Sequence, residues 1–191
     1  MARVKAVHKP SDYPGKPDEA TRKDVAELFG YLFPNAQNPE IDNAHSGIAI
    51  AAQNPKLALN LAKISRFIAI EMPWCQRTDL RELAIQTLNL HFKSDFSLQT
   101  RLPHAQAAGI GLDLLAALPY WRTSSLFDEE QRLVIEYTNA VVSGDVPAEL
   151  FRRVVEKYGE KGAVEFTTVV GFWSFWAMLL NATRPEIEAK A

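Results

Sequence analysis

The chain has 191 residues and a formal net charge of -2 with both signs interspersed, which leaves no basic footprint for nucleic acid or an anionic membrane surface. Its length suits one domain with a sizeable core. A single cysteine, Cys75, excludes an internal disulfide, a dithiol redox pair and a thiolate-rich metal site within one chain.

Residues 1–18 hold Pro10, Pro14, Gly15 and Pro17 among charges and read as an irregular arm. No apolar run follows Met1-Ala-Arg-Val-Lys5, so a secretory signal is not expected and the cytoplasm is the expected compartment. From residue 19 to 184 the apolar positions recur at helical spacing and no alternating strand appears, which predicts one all-α domain followed by a tail at 185–191.

The predicted helices run from Asp18 to Phe33, from Ala44 to Gln53 and from Lys56 to Met72, with a loop over Pro34–Asn43 and Pro55 suited to a first helical position. Asp79-x-x-Glu82 matches a capping box, which puts Glu82 in the first turn of a helix reaching about Phe92. The next helix, near Asp95–Ala108, ends at Gly109, and a short one covers Leu112–Leu118. Asp128-x-x-Gln131 opens a further capping-box helix to about Val142, stopped at Gly144. Pro147–Tyr158 is helical up to Gly159, and the last long helix covers about Gly162–Ala182. Its most apolar part, Val169 to Leu180, is too short to span a bilayer and reads as buried. A helix apolar round most of its circumference takes cover on every side, and in a chain this small part of that cover is expected from another subunit.

Three stretches resemble the carboxymuconolactone decarboxylase and alkylhydroperoxidase D superfamily. They are Asp79-Leu-Arg-Glu-Leu-Ala-Ile85, Ala105-Gln-Ala-Ala-Gly-Ile110, and Phe127-Asp-Glu-Glu-Gln-Arg-Leu133 with the later Val169-Val-Gly-Phe-Trp173 and Leu179-Leu-Asn-Ala182. The resemblance covers roughly residues 55 to 182. It implies an alkylhydroperoxidase D-like helical bundle that assembles as a homo-oligomer, a trimer or hexamer. In the peroxidase branch a glutamate and a histidine relay protons to a Cys-x-x-Cys pair. By spacing Glu82 falls on that glutamate, Ser94 and Ser97 on the cysteines, and Arg101 on the histidine. The decarboxylase branch has a glutamate and a histidine where this chain has Ser97 and Arg101. The chain departs from both.

Serine hydroxyls cannot replace a thiolate and a resolving thiol, so thiol peroxidase chemistry is not expected. At about 100° per residue, Ser94, Ser97, Arg101 and His104 share an arc of roughly 80° on one helix, a set suited to holding a carboxylate or enolate on Arg101 while His104 moves a proton. The alternative is a solvated polar face, and a kink at Pro103, inside the helix, would carry His104 away from Arg101. Glu82, Gln86 and Asn89 form a polar stripe on the preceding helix, where Glu82 is either an acid-base group or a cap. His91 either reaches the cleft or sits against the helix dipole. Trp121, with Arg122, either lines a pocket or packs on the core. His8 and His45 have no partners at ligand spacing, so no metal is expected.

Together these readings predict a cofactor-independent lyase or isomerase acting on a small organic acid or lactone, with Glu82, Arg101 and His104 as the catalytic candidates. Ser94, Ser97, His91 and Trp121 are the substrate-binding candidates. The rival expectation is a catalytically inactive ligand-binding or structural oligomer of the same fold. No cofactor, metal, nucleic-acid or membrane partner is expected in either case.

Overall fold

The computed structural model describes residues 2–185 and shows eight α-helices and no strand among them. The chain divides into two units, one formed by the part up to Phe67 together with the segment from Leu179, the other by Ile68–Met178.

In the first unit, α1 (Glu19–Leu32) starts where the Asp18 carboxylate accepts the Thr21 amide at 2.8 Å. α3 (Pro55–Arg66) starts in the same way at Asn54, with Pro55 in its first turn. Between them the expected helix over Ala44–Gln53 is shorter: a 3-10 turn, Asn43–His45, leads into α2 (Ser46–Ala51). Val25, Leu28 and Phe29 of α1 and Ala58, Leu59 and Ala62 of α3 are buried where these two helices pack.

The arm is irregular apart from a 3-10 turn at Pro10–Asp12, but it is firmly attached. Val7 is fully buried and donates its amide to the Ala49 carbonyl at 2.9 Å, while Ile41 donates to His8 at 2.9 Å. The expected helix over Lys56–Met72 stops at Arg66 and widens into a π-type turn, Phe67–Glu71, before the 3-10 turn Pro73–Gln76. Pro73 has no amide to donate, and the Gln76 side chain takes up the Ile70 carbonyl at 2.8 Å.

The second unit contains α4 (Thr78–His91), α5 (Asp95–Ala107), α6 (Leu112–Ala117), α7 (Glu129–Ser143) and most of α8 (Ala148–Thr183). α4 packs against α5 and α7 and buries an unbroken run from Glu82 to Asn89. The core around it includes Leu83, Leu88, Val134, Ile135, Tyr137 and Phe166, with Trp74 stacked on Phe166 at 4.1 Å between ring centroids.

The capping box at Asp128 and Gln131 forms in both directions. The one expected at Asp79 and Glu82 does not. The helix begins two residues earlier than that box would set, at Thr78, and the Arg77 guanidinium holds Asp79 at 2.9 Å, which frees Glu82 to turn inward.

Gly159, at φ 71° and ψ 170°, breaks α8 into helices over 148–158 and 160–183, as the sequence predicts. Only glycine takes such angles without a steric cost. The continuous part outruns the apolar stretch Val169–Leu180, so that α8 is long and apolar enough to cross a membrane by length and composition alone. Half of that window is buried inside the protein, and Glu165 of the same helix accepts the Trp74 amide at 2.9 Å.

Candidate active site

α4 and α5 form an antiparallel hairpin. Lys93, in the left-handed region at φ 51°, turns the chain, and Ser94 returns its amide to the Asn89 carbonyl at 2.8 Å. Three levels then face each other across the hairpin: Asn89 with Ser94, Gln86 with Leu98, whose carbonyl the Gln86 side chain meets at 3.5 Å, and Glu82 with Arg101.

At the last level Arg101 grips the Glu82 carboxylate with two prongs, Nε to Oε2 at 3.1 Å and Nη2 to Oε1 at 2.5 Å. Arg81 adds a third donor, Nε to Oε1 at 3.2 Å, and its Nη1 reaches the Ala69 and Cys75 carbonyls at 3.3 Å each. Glu82 is 1% exposed, and the two arginine side chains 17% and 18%. Two guanidinium cations on one buried carboxylate leave a net charge of +1. The Trp173 ring, 5.9 Å from Arg101 Cζ, adds a polarisable face to the cation.

Toward the turn, the hairpin is polar but unsatisfied. Gln86 Oε1, both polar atoms of the Asn89 amide and Ser94 Oγ are buried and have no hydrogen-bond partner among the described residues. Each such group costs about 1–3 kcal/mol if nothing fills its need, so this end of the seam calls for a polar guest, either water or part of a ligand.

Of the residues singled out from sequence, the fold therefore brings Glu82 and Arg101 into direct contact and buries Ser94 and Ser97 in the same hairpin. α5 remains helical through Pro103, and His104 stands exposed in its last turn. His91 is exposed at the end of α4, edge-on to Phe92. Trp121 packs against the core with Arg122 over its ring, 4.5 Å from the centroid. His8 and His45 are separately engaged, by the Ile41 carbonyl at 2.6 Å and by Asp42 at 2.7 Å.

Arg81 is the member of this cluster that sequence reasoning passes over. It lies next to Glu82 and off the polar stripe, so helical periodicity gives no reason to group them, and only the fold of Phe67–Gln76 provides the carbonyls that hold it. Cys75 is fully buried beside it. Burial pushes its thiol up to about 11, against the opposing pull of the Arg81 charge.

No family model matches the chain, and no curated protein matches it. Among solved structures, the chain is similar to the debrominase Bmp8, a cysteine-to-alanine variant in complex with 2,3,4-tribromopyrrole. The similarity has a TM-score of 0.63 and 18% sequence identity, and covers 99% of this chain and 95% of that one. This chain thus shares its all-α fold, over nearly its whole length, with that debrominase.

Proposed function

We propose that the protein is a carboxymuconolactone-decarboxylase-like enzyme, a divergent member without the Cys-x-x-Cys pair, acting without a cofactor as a lyase or isomerase on a small organic acid or lactone. The observation that carries this reading is the Arg81–Glu82–Arg101 cluster, a buried acid-base group inside a net positive site. The fold shared with a debrominase supports an enzyme rather than a purely structural role.

In this mechanism the substrate carboxylate competes with Glu82 for the two-pronged face of Arg101, a charge-assisted exchange of one carboxylate for another. Glu82, released, takes the proton from the carbon next to the substrate carbonyl. The electron pair left on that carbon delocalises as an enolate held by Arg81 and Arg101. Return of the same proton to a different carbon completes an isomerisation, and expulsion of a group β to the enolate completes a lyase reaction. Ser94 and Ser97 act as hydrogen-bonding groups along the bound molecule, with Asn89 and Gln86 beside them. His104 serves proton exchange with solvent from the last turn of α5.

The enzyme works as a cytoplasmic homo-oligomer, a trimer or hexamer. The face of α8 that carries Val164, Phe175 and Met178 supports this, with Val164 63% and Met178 52% exposed on an otherwise apolar helix.

A second reading, an inactive ligand-binding protein, has one observation in its favour. The bidentate Glu82–Arg101 pair already satisfies both groups and clamps α4 to α5 without any ligand. Calorimetry and turnover with a panel of small aromatic and lactone acids decide between them. Turnover lost in Glu82→Gln with binding retained supports the enzyme, binding without turnover in the native protein supports the second reading, and binding unchanged in Arg101→Ala removes the site.

A further inference from the structure

Away from the α4–α5 hairpin, the first unit contains a cleft of about 420 Å³. Its floor is one face of α1 with its C-cap Phe33, where Arg22, Val25, Ala26, Phe29, Gly30 and Phe33 are each related to a neighbour in the set by three or four residues. One wall is the arm, through Pro10, Tyr13 and Pro17, and the other is the loop holding Asn35, Ala36 and Pro39.

Three features make this a formed site rather than a surface irregularity. First, the arm is fastened on both sides of the cleft: Val7 and His8 pair with Ala49 and Ile41, Gln53 Nε2 donates to Lys5 O at 2.7 Å, and Tyr13 OH donates to Gln53 O at 3.3 Å. Second, Gly30, exposed in the last turn of α1, belongs to the lining. A Cβ built there meets no atom within 4 Å among the described residues, so a longer side chain at this position would be free to reach over the cleft. Third, Arg22 is the one charged residue in the lining. Its Nη1 donates to Pro17 O at 3.2 Å, which ties the side chain to the arm at the mouth, and no carboxylate lies within ion-pair distance of it among the described residues.

A volume of this size, lined by aromatic and proline rings with a single convergent charge, has the character of a small-molecule site. The charge selects an anion. The part-exposed rings of Phe33 and Tyr13, backed by the buried Phe29, select a flat apolar body. We infer that this cleft is a binding site for an aromatic monocarboxylate of one or two rings, separate from the α4–α5 hairpin, with the carboxylate on Arg22 and the ring system over Gly30.

The test is calorimetry of the full chain with naphthalene-2-carboxylate and its uncharged carboxamide, together with the variants Arg22→Gln and Gly30→Leu. The carboxylate is expected to bind at least tenfold more tightly than the carboxamide. Arg22→Gln should remove that preference, and Gly30→Leu should abolish binding of both while circular dichroism and melting temperature show the helix intact. Equal binding of the two probes to the native chain overturns the assignment, as does carboxylate binding that survives Gly30→Leu. Binding lost in Arg101→Ala but kept in Arg22→Gln also overturns it, by placing the acid in the other site. If neither probe binds and Gly30→Leu instead changes the sedimentation coefficient, the cleft is filled by a second copy of the chain and the inference fails.

Discussion

Arg101 reaches Glu82 across nineteen residues of chain with the geometry of a two-pronged clamp, while Ser94 and Asn89, at the opposite end of the same hairpin, keep their side chains buried and unpaired. Ionic closure at one end and unmet hydrogen bonding at the other make the seam asymmetric, and the two ends answer differently to substitution.

At the clamped end, removing the carboxylate alone strands two cations. Glu82→Gln is expected to destabilise the protein toward the lower end of the about 3–5 kcal/mol seen when one partner of a buried pair is lost, because both arginines remain partly exposed. The double variant Glu82→Met with Arg101→Met should recover at least half of that loss. Urea unfolding of the three proteins measures it, and a double variant no more stable than Glu82→Gln would show that the clamp is not the source of the cost.

At the open end the expectation reverses. Asn89→Leu and Ser94→Ala each remove buried groups that the protein does not satisfy, so each should leave stability unchanged or raise it by about 1 kcal/mol without ligand. If these groups serve the substrate, the same variants lose affinity for it. Thermal melts paired with calorimetry separate the effects, and a loss of more than about 2 kcal/mol in the unliganded protein would mean that ordered water already pairs them.

Cys75 offers a pH-dependent readout. Its thiol is raised from an ordinary 9.0 to about 11, chiefly by burial. The folded state therefore holds the proton more tightly than the unfolded chain, and the associated stability is intact below pH 9 and lost as the pH rises toward 11. Native protein should react slowly with a disulfide reagent at pH 8, and Cys75→Ala should flatten the fall in stability above pH 9. Rapid labelling at pH 8 without unfolding would contradict this.

On α8, Val164→Glu with Met178→Glu places charge on the apolar face proposed to meet another subunit. Light scattering should show the assembly reduced to smaller species, with the melting temperature of those species little changed because both side chains are more than half exposed. An unchanged mass would move the interface elsewhere.

Much of this architecture could be read from residue order because helices declare their ends locally. Asp128 caps the helix that its spacing to Gln131 announces, Pro55 opens α3 in its first turn, and Gly144 and Gly159 both take positive φ where a stop is expected. Reading failed where the deciding interaction lay outside the motif. Asp79 and Glu82 have capping-box spacing, but Arg77 takes Asp79, and Glu82 finds its partner nineteen residues away. The stripe Glu82, Gln86, Asn89 was visible as a pattern, but only the fold of α5 against α4 shows that it is buried.

The hydrogen bonds from Arg3 to Thr183 and Ala182, at 3.0 and 3.1 Å, have a consequence for synthesis. Chains emerging from the ribosome ordinarily complete their first-made part first. Here the unit containing Arg3 stays incomplete until the segment from Leu179 has been made, whereas Ile68–Met178 has all its parts to hand sooner. The later-made unit is therefore the one able to close during translation, and the unit that begins the chain waits for the end of α8 to arrive.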